Sequence, residues 1–198
     1  MGRRGKREGP RLPGLTVTAG FWSGLCALFC LCGGKTALPF LAAAGLHEAG
    51  HLAALGLLGI PVRAVELRLG GAVIRAELEG RFREVVAVLA GPWVNLLCAG
   101  LCFRLWPVFS LYSLILFLYN LLPVYPLDGG RLCRLVLPRV LGRGGEILCK
   151  LLHWGTLAAA LALGLRAAVR GRCLSPALPA VFFLLRLPMG LDKRRSDW

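Results

Sequence analysis

Between Lys35 and Pro61 the chain runs through apolar and small residues broken by three titratable side chains, His47, Glu48 and His51. A run of that length suffices for one helix to cross a bilayer, which takes ~20 residues. Titratable groups inside such a span are costly, and mark a functional site by default. Five more apolar runs flank it: Leu15–Cys32, Glu84–Phe103 with Gly91-Pro92 interrupting it, Leu105–Leu122, Ile147–Leu165 and a shorter Leu174–Met189. The whole chain is 57% hydrophobic with a mean hydropathy of +0.67, above the roughly 45–50% apolar content of soluble domains. From Val62 to Glu79 the pattern changes to alternation about Gly70-Gly71, which predicts a β-hairpin. Its charged residues place it at the membrane surface or in a wet cleft. The expected fold is therefore an all-α polytopic membrane protein, with about six transmembrane helices and a small β-hairpin after the second. A basic head (1–13) precedes the embedded domain (14–190, hairpin 62–79), and a short tail (191–198) follows it.

The net charge of +14 could suggest a nucleic-acid partner. The Lys and Arg residues cluster mainly between the apolar runs, however, as cytoplasmic loops of a membrane protein do. The partner they imply is the lipid bilayer, and nucleic acid is excluded. Counting Lys and Arg in the head, the 60–84 connection, the basic 131–143 connection and the tail puts both termini and the hairpin in the cytosol; Arg166, Arg170 and Arg172 fall on the opposite side. Leu15–Cys32 is longer than the 7–15 residue core of a cleaved signal peptide, so it reads as a retained span. Of eight cysteines none forms a C-x-x-C pair, and they read as packing residues rather than a disulfide framework.

His47-Glu48-Ala49-Gly50-His51 carries the chemistry. Residues four apart on a helix share a face, so His47 and His51 can offer two imidazole nitrogens to one metal ion. Glu48, one residue on, is placed to take a proton from a water at that metal. On a helix, H-E-x-x-H is the signature of a zinc peptidase. Catalytic zinc sites normally use three protein ligands. His153 is the only other histidine, and Asp128 is the only acid between Glu84 and Glu146. Asp128 follows Pro123 and Pro126 and precedes two glycines, so irregular backbone is expected there. Such backbone is tolerated at membrane depth where it lines a cavity. Asp128 is accordingly the expected third ligand, with a turn-forming Asp-Gly-Gly as the bland alternative. His51 lies roughly 13 Å from the end of its helix at ~1.5 Å per residue, and Asp128 must reach that depth.

H-E-x-x-H in one span, with N-x-x-P-x-x-x-x-D-G-G running from Asn120 to Gly130 at the end of a later one, resembles the site-2 protease family of intramembrane zinc metalloproteases. Within it the chain looks most like the bacterial sporulation branch of stage IV sporulation protein FB. Gly91-Pro92-x-x-Asn95 looks like a third family element, although such residues are more often packing and kink features. The resemblance implies one zinc ion held by His47, His51 and Asp128, with Glu48 activating the water. It also implies that Asn120 faces the site and stabilises the oxyanion, where a bland reading makes it a bridge between helices. It further implies a multi-pass protein of a bacterial membrane, acting near the cytosolic face on a membrane-embedded or membrane-tethered protein. In the sporulation branch that substrate is a transcription-factor precursor, and the reading leaves room for regulatory membrane partners. The alternative is a membrane metal transporter, which would be expected to carry a second polar cluster or a His-rich loop.

Overall fold

The computed structural model describes residues 14–69, 71–76 and 80–171. The basic head, the sixth apolar run and the tail lie outside the described residues. The chain is mostly helical, with a small three-stranded sheet. In order it forms β1 (Gly14–Val17), α1 (Ala19–Cys32), α2 (Gly34–Leu57), β2 (Val62–Arg68), β3 (Gly71–Ala76), α3 (Arg81–Cys102), α4 (Pro107–Asn120), α5 (Asp128–Leu141) and α6 (Arg143–Gly171).

The distribution of apolar residues is inverted relative to a soluble protein. Trp22, Phe82, Leu101, Leu105, Leu118 and Leu151 are exposed, whereas His47, His51, Asn95, Ser110, Ser113 and Asp128 are buried. An exposed apolar surface of this extent is untenable in water and natural in lipid. Two helices, Arg81–Cys102 and Arg143–Arg166, are by themselves long and apolar enough to cross a bilayer. α1 and α4 are apolar but only 14 residues each, about 21 Å at ~1.5 Å per residue. The described residues therefore carry two such spans rather than the six expected.

Three local expectations are corrected. The first apolar run does not begin as a helix, because Gly14–Val17 is a strand paired in parallel with β2, Leu15 opposite Val65 and Val17 opposite Leu67. Thr18 closes that pairing, its backbone N–H and its hydroxyl both donating to the Leu67 carbonyl at 3.0 Å. The basic 131–143 connection is instead most of helix α5, whose Leu132 and Leu135 pack on the core beside Leu55, Ile60, Ile74, Ala87 and Val88. Gly91-Pro92 does not interrupt α3, which continues through both residues. The expected hairpin is present, β2 antiparallel to β3 with Leu67 opposite Ala72 and Val65 opposite Ile74. Cysteines 26, 30, 32, 98, 102, 133 and 149 are free, but the three on α1 are exposed rather than packed inside the protein.

α2 and α3 approach closely because glycine faces glycine. A side chain at Gly50 would meet the Ala90 carbonyl and Val94 Cγ2 at 2.9 Å, and Gly91 Cα at 3.2 Å. Where lipid surrounds helices and the hydrophobic effect no longer drives them together, small residues at the crossing let backbones pack. α4 is tied to α3 by Ser110, whose hydroxyl donates to the Ala99 carbonyl at 2.6 Å.

Candidate active site

The helical spacing works as the motif implied. His47 and His51 lie one turn apart on the buried face of α2, their ring centroids 4.8 Å apart. Asp128 reaches them from the first turn of α5, and all three are buried. His47 Nε2 is 3.1 Å from Asp128 Oδ2, His51 Nε2 is 3.4 Å from the same oxygen, and the two nitrogens are 3.2 Å apart. These atoms outline a nearly equilateral triangle. One face of a tetrahedron around an ion with ligand distances of ~2.0–2.1 Å has edges of roughly 3.3 Å. The buried Asp128 Oδ2 has no hydrogen-bond partner, a costly condition that a cation would relieve. The donor set fits a metal ion on both counts. Among the described residues this is the one group of three or more His, Cys, Asp or Glu able to hold an ion.

Asp128 arrives there because the segment before it folds back on the start of α5. Val124 N–H donates to the Leu122 carbonyl at 2.7 Å and Leu127 N–H to that of Val124 at 2.8 Å. A side chain at Gly129 would fall on the Leu121 carbonyl, and one at Gly130 on the Val124 carbonyl and Tyr125 nitrogen. The two glycines thus permit a close pass of backbone over the first helical turn, rather than forming a free-standing turn. His153 takes part from α6, its Nδ1 accepting the Tyr125 N–H at 3.2 Å, while the Arg134 guanidinium lies 4.2 Å above the Tyr125 ring. It anchors the loop and is not among the converging ligand atoms.

Helix α3 forms the floor of the site. Ala87, Gly91 and Asn95, spaced by four, share one face. The Ala87 carbonyl lies 2.7 Å from His51 Nδ1; only a protonated Nδ1 can pair with a carbonyl, which leaves the Nε2 lone pair free for a metal. Gly91 lies directly under both rings, since a side chain there would run into His51 Nε2 and the Cε1 atoms of both histidines. Asn95 is fully buried, its amide nitrogen 3.2 Å from His47 Nδ1. From residues alone Gly91 and Asn95 read as packing features; the spacing of four between 87, 91 and 95 was the signal that they line one face.

Glu48, beside the histidines on α2, is capped from the sheet. The Ala72 backbone N–H reaches its carboxylate, and a side chain at Gly71 would meet Glu48 Oε1 at 3.6 Å. The hairpin is therefore folded back beside the site. Arg75 and Arg68 both pair with Glu66: Arg75 Nη2 lies 2.8 Å from Glu66 Oε1 and Arg68 Nε 3.1 Å from Glu66 Oε2. The hydrogen bond from Arg68 outweighs desolvation and holds the Glu66 carboxyl below its usual range. Asn120 ends α4 half-buried, with its amide nitrogen donating to the Leu116 carbonyl at 3.1 Å.

A family model, Peptidase family M50, matches residues 102–151, a segment that includes Asn120 and Asp128. No curated protein sequence matches the chain significantly. Among solved structures the chain is similar to the site-2 protease from Methanocaldococcus jannaschii, with 17% identity, a TM-score of 0.65 and coverage of 95% of this chain and 96% of that one. At that identity the likeness speaks for the fold, and the family match speaks for the enzyme class. The family match over that segment and the shared fold together support a membrane metalloprotease of the site-2 protease type.

Proposed function

We propose that the chain is an intramembrane zinc endopeptidase that hydrolyses a peptide bond of a transmembrane or membrane-tethered protein near the cytosolic face. It would sit as a multi-pass protein of about six spans with both termini in the cytosol, in a bacterial membrane. The observation that carries the reading is the convergence of His47 Nε2, His51 Nε2 and Asp128 Oδ2 to 3.1–3.4 Å of one another, on a fold otherwise fit for lipid. A transporter would need further liganding groups along a path, and the described residues offer one such cluster.

In this reading His47, His51 and Asp128 hold the zinc. When bound, zinc supplies Lewis acidity, polarising the scissile carbonyl and making an adjacent water acidic near neutrality. The Glu48 carboxylate takes the proton as the water oxygen bonds to the carbonyl carbon. It returns that proton to the nitrogen as the C–N bond breaks, so water is consumed and two chain ends are released. Asn120 donates to the developing oxyanion through the amide N–H that is not engaged by the Leu116 carbonyl. Within the family, the motifs resemble the stage IV sporulation protein FB branch, and that resemblance suggests a membrane-tethered transcription-factor precursor as substrate.

A substrate helix must unwind before its backbone can be attacked, and the sheet is suited to receive it by strand addition. With strand order β1-β2-β3, β2 is central and β3 is the edge next to Glu48. Ala72 turns its N–H to Glu48 and so away from β2; by the two-residue period of a strand, Ile74 does the same. Because Ile74 also packs in the core, Ile74→Ala is the reference, and Ile74→Pro should lower cleavage about tenfold or more below it by removing one strand-addition hydrogen bond and its register. Equal cleavage by the two variants, measured on a single-span substrate, would dismiss the edge.

The enzymatic reading itself is tested by co-expressing or mixing the chain with a single-span reporter substrate. Stripping the purified protein of metal should stop cleavage, and restoring one equivalent of zinc should return it. Cleavage that survives exhaustive chelation would exclude the reading.

A further inference from the structure

The buried amide of Asn95 is not explained by the reaction or by packing alone. Its nitrogen lies 3.2 Å from His47 Nδ1, and its oxygen is buried with no partner. In that orientation His47 Nδ1 accepts a hydrogen bond, so the ring proton sits on Nε2. That proton would point between His51 Nε2 at 3.2 Å and Asp128 Oδ2 at 3.1 Å, where a lone pair is needed for a metal. The two orientations of a primary amide have the same shape. Turning it over brings Oδ1 to His47 Nδ1, satisfies the orphaned oxygen, moves the proton to Nδ1 and frees the Nε2 lone pair. His51 already has this arrangement, its Nδ1–H donating to the Ala87 carbonyl at 2.7 Å. One helix face, at positions 87 and 95, then fixes both imidazoles.

We propose that Asn95 is a positioning residue of the metal centre: its side-chain carbonyl accepts the His47 Nδ1–H and holds that ring in the metal-binding tautomer. This rests on the metal-centre reading above, and acts on metal affinity before any substrate is present. Hydrogen-bond partners of ligating histidines commonly set affinity by ~10–100-fold.

The test compares full-length wild type, Asn95→Asp and Asn95→Leu in detergent, reading zinc affinity by chelator competition and the visible spectrum of the cobalt-substituted protein. Asp offers an acceptor and no donor; Leu matches the shape and offers neither. Asn95→Asp should bind zinc within about threefold of wild type or more tightly, and keep the cobalt spectrum. Asn95→Leu should bind ~10–100-fold more weakly, with the thermal unfolding of the metal-free protein little changed. An Asp variant as weak as the Leu variant would show that the NH2 group is the functional end and overturn the proposal, as would a Leu variant with wild-type affinity. Should Asn95→Leu fail to fold, 15N spectra of histidine-labelled, zinc-loaded wild type decide the point. A proton on His47 Nδ1 with metal on Nε2 supports the proposal, and the reverse overturns it. If wild type binds no zinc, the metal-centre reading falls, and this proposal with it.

Discussion

Replacing Glu48 by Gln should lower turnover by ~10²–10⁴-fold, the usual contribution of a positioned general base, and leave zinc bound. The separation of these two effects follows from where the groups sit. The triangle of candidate ligand atoms is made by His47, His51 and Asp128 without Glu48. Glutamine keeps the size of the side chain and an oxygen for the Ala72 N–H, while losing the basic carboxylate. Zinc content by elemental analysis and cleavage of a single-span substrate are measured on one preparation. Cleavage at the wild-type rate would remove Glu48 as the base; loss of zinc along with activity would make it a ligand or a structural support instead.

Gly91→Ala should be nearly as damaging, although position 91 carries no side chain. The added methyl would lie 2.7 Å from His51 Cε1 and 2.8 Å from His47 Cε1, and closer still to His51 Nε2. Ordinary contact needs ~3.4–4 Å, so the rings must retreat by about 1 Å. A misplacement of that size costs on the order of 10²-fold in rate, and it also spoils the ligand triangle, so zinc affinity should fall together with activity. Gly100→Ala is the control, lying on the same helix with open space around it. It should be silent in both assays. If Gly91→Ala keeps full zinc affinity and turnover, α3 does not lie against the histidines as described.

The parts of this fold that were legible in the sequence were those with local cause. A run of apolar residues longer than a soluble helix needs gave α2, and H-E-x-x-H placed both imidazoles on one of its faces. Alternation about Gly70-Gly71 gave the hairpin. Asp128 was reachable by elimination, because the chain offers so few acids in its second half. Features with distant causes were hidden. β1 is four residues continuous with the apolar run of α1, and it is a strand only because β2 lies beside it. α5 was concealed by its arginines and by Pro138, which suggest a loop; its apolar residues Leu132 and Leu135 are held by a core assembled from α2, β3 and α3. Asn95 looked like a packing feature beside Gly91-Pro92, and its role emerges only when His47, 48 positions earlier, is set against it.

The account stands on α5 delivering a carboxylate to two imidazoles of α2. Zinc affinity of Asp128→Asn beside that of wild type tests this most directly. Wild type should bind one zinc per chain, and the variant should bind at least ~100-fold more weakly, because a neutral amide is a poor substitute for an ionised carboxylate ligand. One equivalent of zinc held by Asp128→Asn with wild-type affinity would contradict the account.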